Sequence, residues 1–171
     1  MTKNENTNRD IAKAKQKLKE LQGKTLVSKD GIEAIISSKT LGKMVYGLEN
    51  TLKNGFSAEE HFDVVSKIDE IFPNAVKVLE HNSRKEGDSA KIIRLCAPIS
   101  KNYCAVVYIT AREFIDLREQ KCRMHAIELV KIERLGETIE AAANSTNYPS
   151  PTLYPNNIIY LQEKVKGEAE I

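Results

Sequence analysis

Three histidines stand in this 171-residue chain, at positions 61, 81 and 125. His61 falls in SAEEHFDVVSKIDEIF and His81 closes NAVKVLEH. An unperturbed imidazole titrates near neutrality, so one histidine can take a proton while a second returns one. Cations accompany them: Lys43 in SSKTLGKMV, Arg94 inside KIIRLCA and Arg112 after VVYITA. Imidazoles beside ammonium and guanidinium groups can build a metal-free phosphodiester site. That chemistry needs a base for the ribose 2′-hydroxyl, an acid for the leaving 5′-oxygen, and positive charge for the phosphoryl oxygens. The same residues in the same order also suit an ordinary α+β core.

Each candidate therefore has two readings. His61 sits early in an amphipathic helix beside Phe62. It is a surface or half-buried histidine at a helix start, or a base that the positive helix end keeps neutral. His81 is read at a helix-to-loop boundary beside Arg84 and Lys85. There it complements the negative end of the helix dipole, or serves as the acid. Arg94 lies between Ile93 and Leu95, so it points to the open face of a sheet, where it stabilises developing charge or pairs with Glu128. Arg112 ends the next strand and lines the same rim. Lys43 and Ser37 follow the first strand, with solvation and local hydrogen bonding as their plain explanations. Cys122-x-x-His125, with Cys96 and Cys104 on neighbouring strands, contains zinc-type ligands but no second tight pair. Cys96 and Cys104 read as small core residues, and no metal or other cofactor is expected.

The elements that must position these groups follow from periodicity. Ile11, Ala14, Leu18 and Leu21 mark a helix over Asp10 to Gln22, with Lys13, Lys15, Lys17 and Lys19 on its wet side. Ile32 to Ser37 reads as a strand. Leu41, Val45, Leu48 and Leu52 repeat at helical spacing until Gly55, which suits a left-handed cap. Ser57 and Glu60 form a capping box, followed by Phe62, Val65, Ile68 and Phe72 on one stripe. Pro73 interrupts it, and Val76 and Leu79 continue as a short helix ending near His81. Asn82 to Ser89 is a polar loop. Lys91 to Ala97 and Tyr103 to Thr110 form a hairpin with Pro98 at its edge. Arg112 to Gln120 makes a wide turn, and Met124 to Glu133 is the last strand. Ala141 to Asn157 is rich in Ala, Asn, Ser and Pro and reads as a linker, with Ile158, Ile159 and Leu161 as a short docking element.

Bulk properties narrow the class. The organisation expected is an N-terminal basic helix over 1–24, an α+β domain over 25–136, and a linker with a terminal docking segment over 137–171. With 26 basic and 24 acidic residues the formal charge is only +2, too small for a general nucleic-acid coat but sufficient for gripping a few phosphates. Tryptophan is absent and aromatics are 6%, which argues against a long single-strand stacking platform. No apolar run reaches membrane-spanning length. Three cysteines without a secretory context indicate reduced thiols and a cytoplasmic protein. The oligomeric state is not legible.

The order GIEAIISSKTLGKMV, HFDVVSKIDEIFPNAV, EH, IIRLCAPISKNYCAVVYITAREF and MHAIELVKIE resembles a group of phage- and mobile-element-associated domains of the barnase–EndoU–colicin–RelE-like ribonuclease superfamily. The resemblance covers about Gly31 to Glu133. It implies an α+β fold, helices packed on a small curved antiparallel sheet. It also implies metal-independent endoribonuclease activity giving 2′,3′-cyclic phosphate ends, with RNA as partner. In that frame His81, His61 and Arg94 are catalytic, while Lys43, Arg112 and Ser37 bind substrate. One departure is His125, where relatives tend to carry an aromatic residue. The alternative is a catalytically silent protein of the same origin that covers a host or cognate protein.

Overall fold

Ser57 and Glu60 close the capping box that their spacing predicts. The Ser57 hydroxyl accepts the Glu60 N–H at 3.0 Å, and the Glu60 carboxylate accepts the Ser57 N–H at 2.9 Å. This fixes the start of the helix that covers one side of the sheet. The computed structural model describes residues 3–169, apart from 44, 85, 86, 88, 89, 101, 102 and 116. The strands are β1 Thr25–Val27, β2 Glu33–Ile36, β3 Val76–Asn82, β4 Lys91–Pro98, β5 Tyr103–Ile115, β6 Lys121–Arg134 and β7 Thr152–Leu153. The helices are α1 Lys3–Leu21, α2 Ser38–Lys43, α3 Leu48–Lys53, α4 Ala58–Ser66, α5 Ile68–Ile71, α6 Leu135–Ala143 and α7 Pro155–Ala169. The fold is α+β, as expected.

The strands form one open sheet in the order β1-β2-β6-β5-β4-β3-β7. Every neighbouring pair is antiparallel except β2 with β6, which is parallel. Alternation along the strands divides the side chains between two faces. Ile93, Leu95, Val107, Ile109, Ile127 and Ile132 join Leu18, Phe62, Val65 and Ile68 in a core beneath α1 and α4. On the opposite face Val76, Leu79, Cys96, Cys104 and Val106 meet Leu135, Ala142 and Leu161 beneath α6 and α7. Phe62 and Phe72 are at most 1% exposed. Removing each such side chain from water contributes ~2–3 kcal/mol to folding.

The parallel pairing of β6 is short, reaching only Ile35↔Ala126 and Ile36↔Ile127. Beyond it, α2, α3 and their connection run along the flank of β6 and satisfy its backbone. The Thr40 hydroxyl donates to the Ile127 carbonyl, and the Asn54 amide donates to the Ile132 carbonyl at 3.0 Å. The Ile132 N–H donates to the Thr51 hydroxyl at 3.0 Å. Gly47 lies so close that an added Cβ would sit 1.9 Å from the Val130 carbonyl oxygen. Only a residue without a side chain permits that approach.

Three expectations are corrected. Val76 to Asn82 is a strand rather than a helix. The single turn Phe72–Asn74 ends the helical stretch, and antiparallel pairing with β4 captures the following residues. His81 therefore stands on a strand, with no helix dipole behind it. The helical repeat from Leu41 to Leu52 is broken into α2 and α3. Residues 135–169 are largely ordered structure rather than a linker: α6 and α7 pack on one face, β7 pairs with β3 at the sheet edge, and Leu161 is 0% exposed. Three extents also change. The first helix begins at Lys3, β5 continues through Arg112 to Ile115, and β1 adds a strand the periodicity does not flag. Lys101 and Lys85 lie outside the described residues.

Candidate functional site

On the face covered by α6 and α7, the cover stops part-way along the strands. β5 then presents Tyr108, Thr110 and Arg112 in succession, and β6 presents Leu129 and Lys131 beside them. Two adjoining hollows open there. One, of about 230 Å³, includes Ser37, Lys39, Thr110, Arg112 and Glu128 in its lining. The other, of about 500 Å³, lies among Lys43, Tyr46, Asn50, Ile92, Tyr108 and Lys131. Glu128 belongs to both walls: its carboxylate accepts from Lys43 and from the Thr110 hydroxyl.

A charged cluster forms the inner end of this surface. Arg94 is 2% exposed, and its Nη2 donates to Glu133 Oε2 at 2.5 Å. The same oxygen accepts from the Thr138 hydroxyl at 2.7 Å, while Lys131 Nζ lies 2.9 Å from Glu133 Oε1. Tyr108 sits between the two cations, its ring centre 5.7 Å from the Arg94 guanidinium carbon and 5.4 Å from Lys131 Nζ. Burial works against the charged form of each group. Tyr108 and Glu133 outweigh it for Arg94 and Lys131 and hold both pKa values up. Arg94 and Lys131 outweigh it for Glu133 and hold that carboxyl below its usual range. Arg94 Nε is buried with no hydrogen-bond partner among the described residues.

His81 belongs to the same face. It pairs across from Ile92 on β4, and its ring stacks on Tyr148 at 4.3 Å. Arg84 lies 4.5 Å from the same tyrosine ring. Neutral His81 donates through Nδ1 to the Asn82 carbonyl at 2.8 Å. Burial pushes its pKa down, and Arg84 and Arg94 push the same way against that hydrogen bond. His81 is 6% exposed.

His61 belongs to the other face. It is 0% exposed, with its ring edge against Phe62 at 5.1 Å. Its Nδ1 lies 3.0 Å from the Thr51 hydroxyl that supports Ile132. The sheet thus separates His61 from His81 and Arg94. It brings Lys43, Arg112 and Ser37 together on the uncovered half, with Arg94 and His81 at its inner margin. Arg94 pairs with Glu133, not Glu128, because Glu128 is taken by Lys43. The ring of His125 faces neither group: its Nδ1 lies 3.2 Å from the Glu33 carbonyl near the β1–β2 edge. Among the described residues no group of histidine, cysteine and carboxylate side chains could hold a metal ion. The side chain of Cys122 lies outside the description.

The residues that sequence reasoning passes over are Tyr108, Lys131 and Glu133. A signal was present. Tyr108, Thr110 and Arg112 share one alternation, as do Lys131 and Glu133 on either side of Ile132.

Comparison with known proteins gives one match. The family model described as large polyvalent protein-associated domain 3 matches residues 6–121, from α1 to the start of β6. No curated protein and no solved structure matches the chain. The match spans well over half of the sequence, so the chain belongs to this family of phage- and mobile-element-associated domains. Lys131, Glu133 and Tyr148 lie beyond the matched stretch.

Proposed function

We propose that this member of the large polyvalent protein-associated domain 3 family binds RNA on the uncovered half of its sheet and cleaves it without a metal ion. The observation that carries the reading is the charge balance of that surface. Among the described residues, Lys39, Lys43, Lys131 and the buried Arg94 stand on this face with two carboxylates, Glu128 and Glu133. A local surplus of cations on a nearly neutral chain is the electrostatic footprint of a phosphate-binding surface. Cleavage is what the ribonuclease-like resemblance implies. His81 is the one predicted histidine that shares the face. Burial lowers its pKa, so at pH 7 the neutral ring can take the 2′-hydroxyl proton; the 2′-oxygen then bonds to phosphorus, the P–O5′ bond breaks, and the departing 5′-oxygen takes its proton from water because no second imidazole shares the face. This reverses the acid role expected from a helix end. His61 has no part in the chemistry. Tyr148 covers the His81 ring, so RNA reaches Nε2, the nitrogen left unprotonated, only after Tyr148 swings away.

The test is single-stranded RNA incubated with the full chain in excess EDTA, with the product ends identified by mass. The expected result is 2′,3′-cyclic phosphate ends, lost in His81→Ala and retained in His61→Gln, with faster cleavage in Tyr148→Ala. Unchanged turnover in His81→Ala removes the catalytic assignment. RNA binding that survives Lys43→Glu with Lys131→Glu removes the surface.

A second reading is a silent protein that covers a host or cognate protein. One observation favours it: Arg94 is already neutralised by Glu133, and no second imidazole converges on His81. Intact RNA in the same assay, together with a single stoichiometric protein partner in a pull-down, would establish that reading instead.

A further inference from the structure

The larger of the two hollows has a composition that phosphate binding alone does not explain. Ile92, Tyr108 and Leu129 give its lining an apolar and aromatic part, beside the Glu128 carboxylate that Lys43 already holds. Tyr46 stands at its margin on the α2–α3 connection and is 66% exposed. Beside it is the amide of Asn50, an exposed residue of α3. Lys43 and Lys131 complete the lining, paired with Glu128 and Glu133 respectively. A surface needed only for backbone contact would gain nothing from exposing a large phenol ring to water. At about 500 Å³, the hollow falls in the range of small-ligand sites, roughly 300–1,000 Å³.

We infer that this hollow is a nucleobase subsite: it takes one unstacked base of single-stranded RNA against Tyr46 and Tyr108, with Asn50 reading the base edge and Lys43 and Lys131 holding the flanking phosphates. The parts match the needs of such a ligand. A base offers a π face that stacks on a phenol ring, and edge donors and acceptors that an amide can meet. Its phosphates need cations, and Lys43 and Lys131 line the same hollow. Arg94 supports the polarity from within, because its guanidinium lies beneath Tyr108 with Nε unpartnered among the described residues. A duplex cannot present such a base without unpairing, so the subsite selects single strands, loops or bulges.

Position is set by the fold. Gly47 presses against the Val130 carbonyl, and its neighbour Tyr46 is thereby carried to the edge of the hollow. The subsite is built by the same close approach that seals the flank of β6.

The inference rests on the RNA reading, and the test separates the two. The chain has six tyrosines and no tryptophan, so tyrosine fluorescence reports the ring environment without a dominating indole. Titration of the full chain with AMP, GMP, CMP and UMP, and with inorganic phosphate, is compared with Tyr46→Ala and Asn50→Ala. Tyr46 and Asn50 are exposed, so both variants keep the core. The expected result is quenching by nucleotides, with unequal affinities among the four, and a loss of about tenfold in Tyr46→Ala. Asn50→Ala should level the differences between bases, while phosphate affinity stays unchanged in both variants. Equal binding of phosphate and all four nucleotides, indifferent to Tyr46→Ala, would overturn the subsite while leaving RNA binding intact. Nucleotide binding with this pattern in a chain that neither grips nor cuts RNA would retain the subsite and remove the proposed function. No nucleotide binding at millimolar concentration would also overturn it.

Discussion

On β5, Ala105, Val107 and Ile109 face α1 and α4, whereas Cys104, Val106, Tyr108, Thr110 and Arg112 face the other way. The first set is apolar throughout. The second changes character part-way, from a thiol and a valine beneath α6 and α7 to a phenol, a hydroxyl and a guanidinium where those helices stop. The same contrast separates the two buried histidines. His61 is held by an aromatic edge and by a hydroxyl that also supports a strand. His81 lies between a tyrosine ring and two arginines. The two buried imidazoles therefore sit in different surroundings, one within apolar packing and one beside aromatic and charged groups. What separates their surroundings is that the His61 ring meets a core phenylalanine and a hydroxyl, whereas the His81 ring lies beside a tyrosine that an arginine also covers.

The contrast is most forcefully broken on the covered face. Phe62→Ala should cost about 3–5 kcal/mol in urea unfolding, the range for truncating a sealed aromatic. Tyr46→Ala on the uncovered face should fall within about 0.5 kcal/mol of the parent. Comparable losses would mean that the hollow is part of the core. Next is Glu133→Ala, expected to cost about 3 kcal/mol because it strands Arg94 and Lys131 with no carboxylate between them. Adding Arg94→Met should recover much of that loss, and a double variant no better than the single would show that the cluster does not act as a pair.

Thr51→Val keeps shape while removing the oxygen that accepts from Ile132 and faces His61. It should destabilise by about 1–3 kcal/mol, the cost of unsatisfied buried polar groups. The smallest effect is the pH dependence of His81. Its pKa lies below the ordinary 6.5 in the folded chain, so the unfolded chain binds the proton more readily. Its contribution to stability is then complete above about pH 6.5 and disappears as pH falls through the folded value. His81→Gln should flatten the stability profile on the acid side of pH 6.5, whereas Glu133, with its lowered pKa, should act only at more acid pH. A profile unchanged in His81→Gln would place that histidine outside any linkage to folding.

Local signals carried much of the fold. The capping box at Ser57, the stop at Gly55 and the alternation in β4 and β5 depend on neighbours a few residues apart, and the structure keeps them. β3 was not legible, because Val76 and Leu79 fit a helical spacing as well as a strand, and only pairing with the distant β4 decides. The C-terminal helices were hidden by composition. The segment AAANSTNYPSP reads as a linker, although Leu135, Thr138 and Ala142 recur at helical intervals and Pro155 stands at a helix start. For the site, Lys43, Arg112 and Ser37 were reachable because each lies near the end of a recognisable strand. The separation of His61 from His81 was not, since periodicity shows that a helix packs but not on which side of a sheet.

A fourteen-residue strand such as β6 with one bare flank would be a template for another chain. Here Thr40, Thr51 and Asn54 hydrogen-bond the Ile127 and Ile132 backbone on that flank, and Gly47 presses against the Val130 carbonyl. The rims left at the ends of the sheet are β1 and β7, three and two residues long. Rims so short give a neighbouring copy little to add to, so the topology discourages strand-by-strand polymerisation.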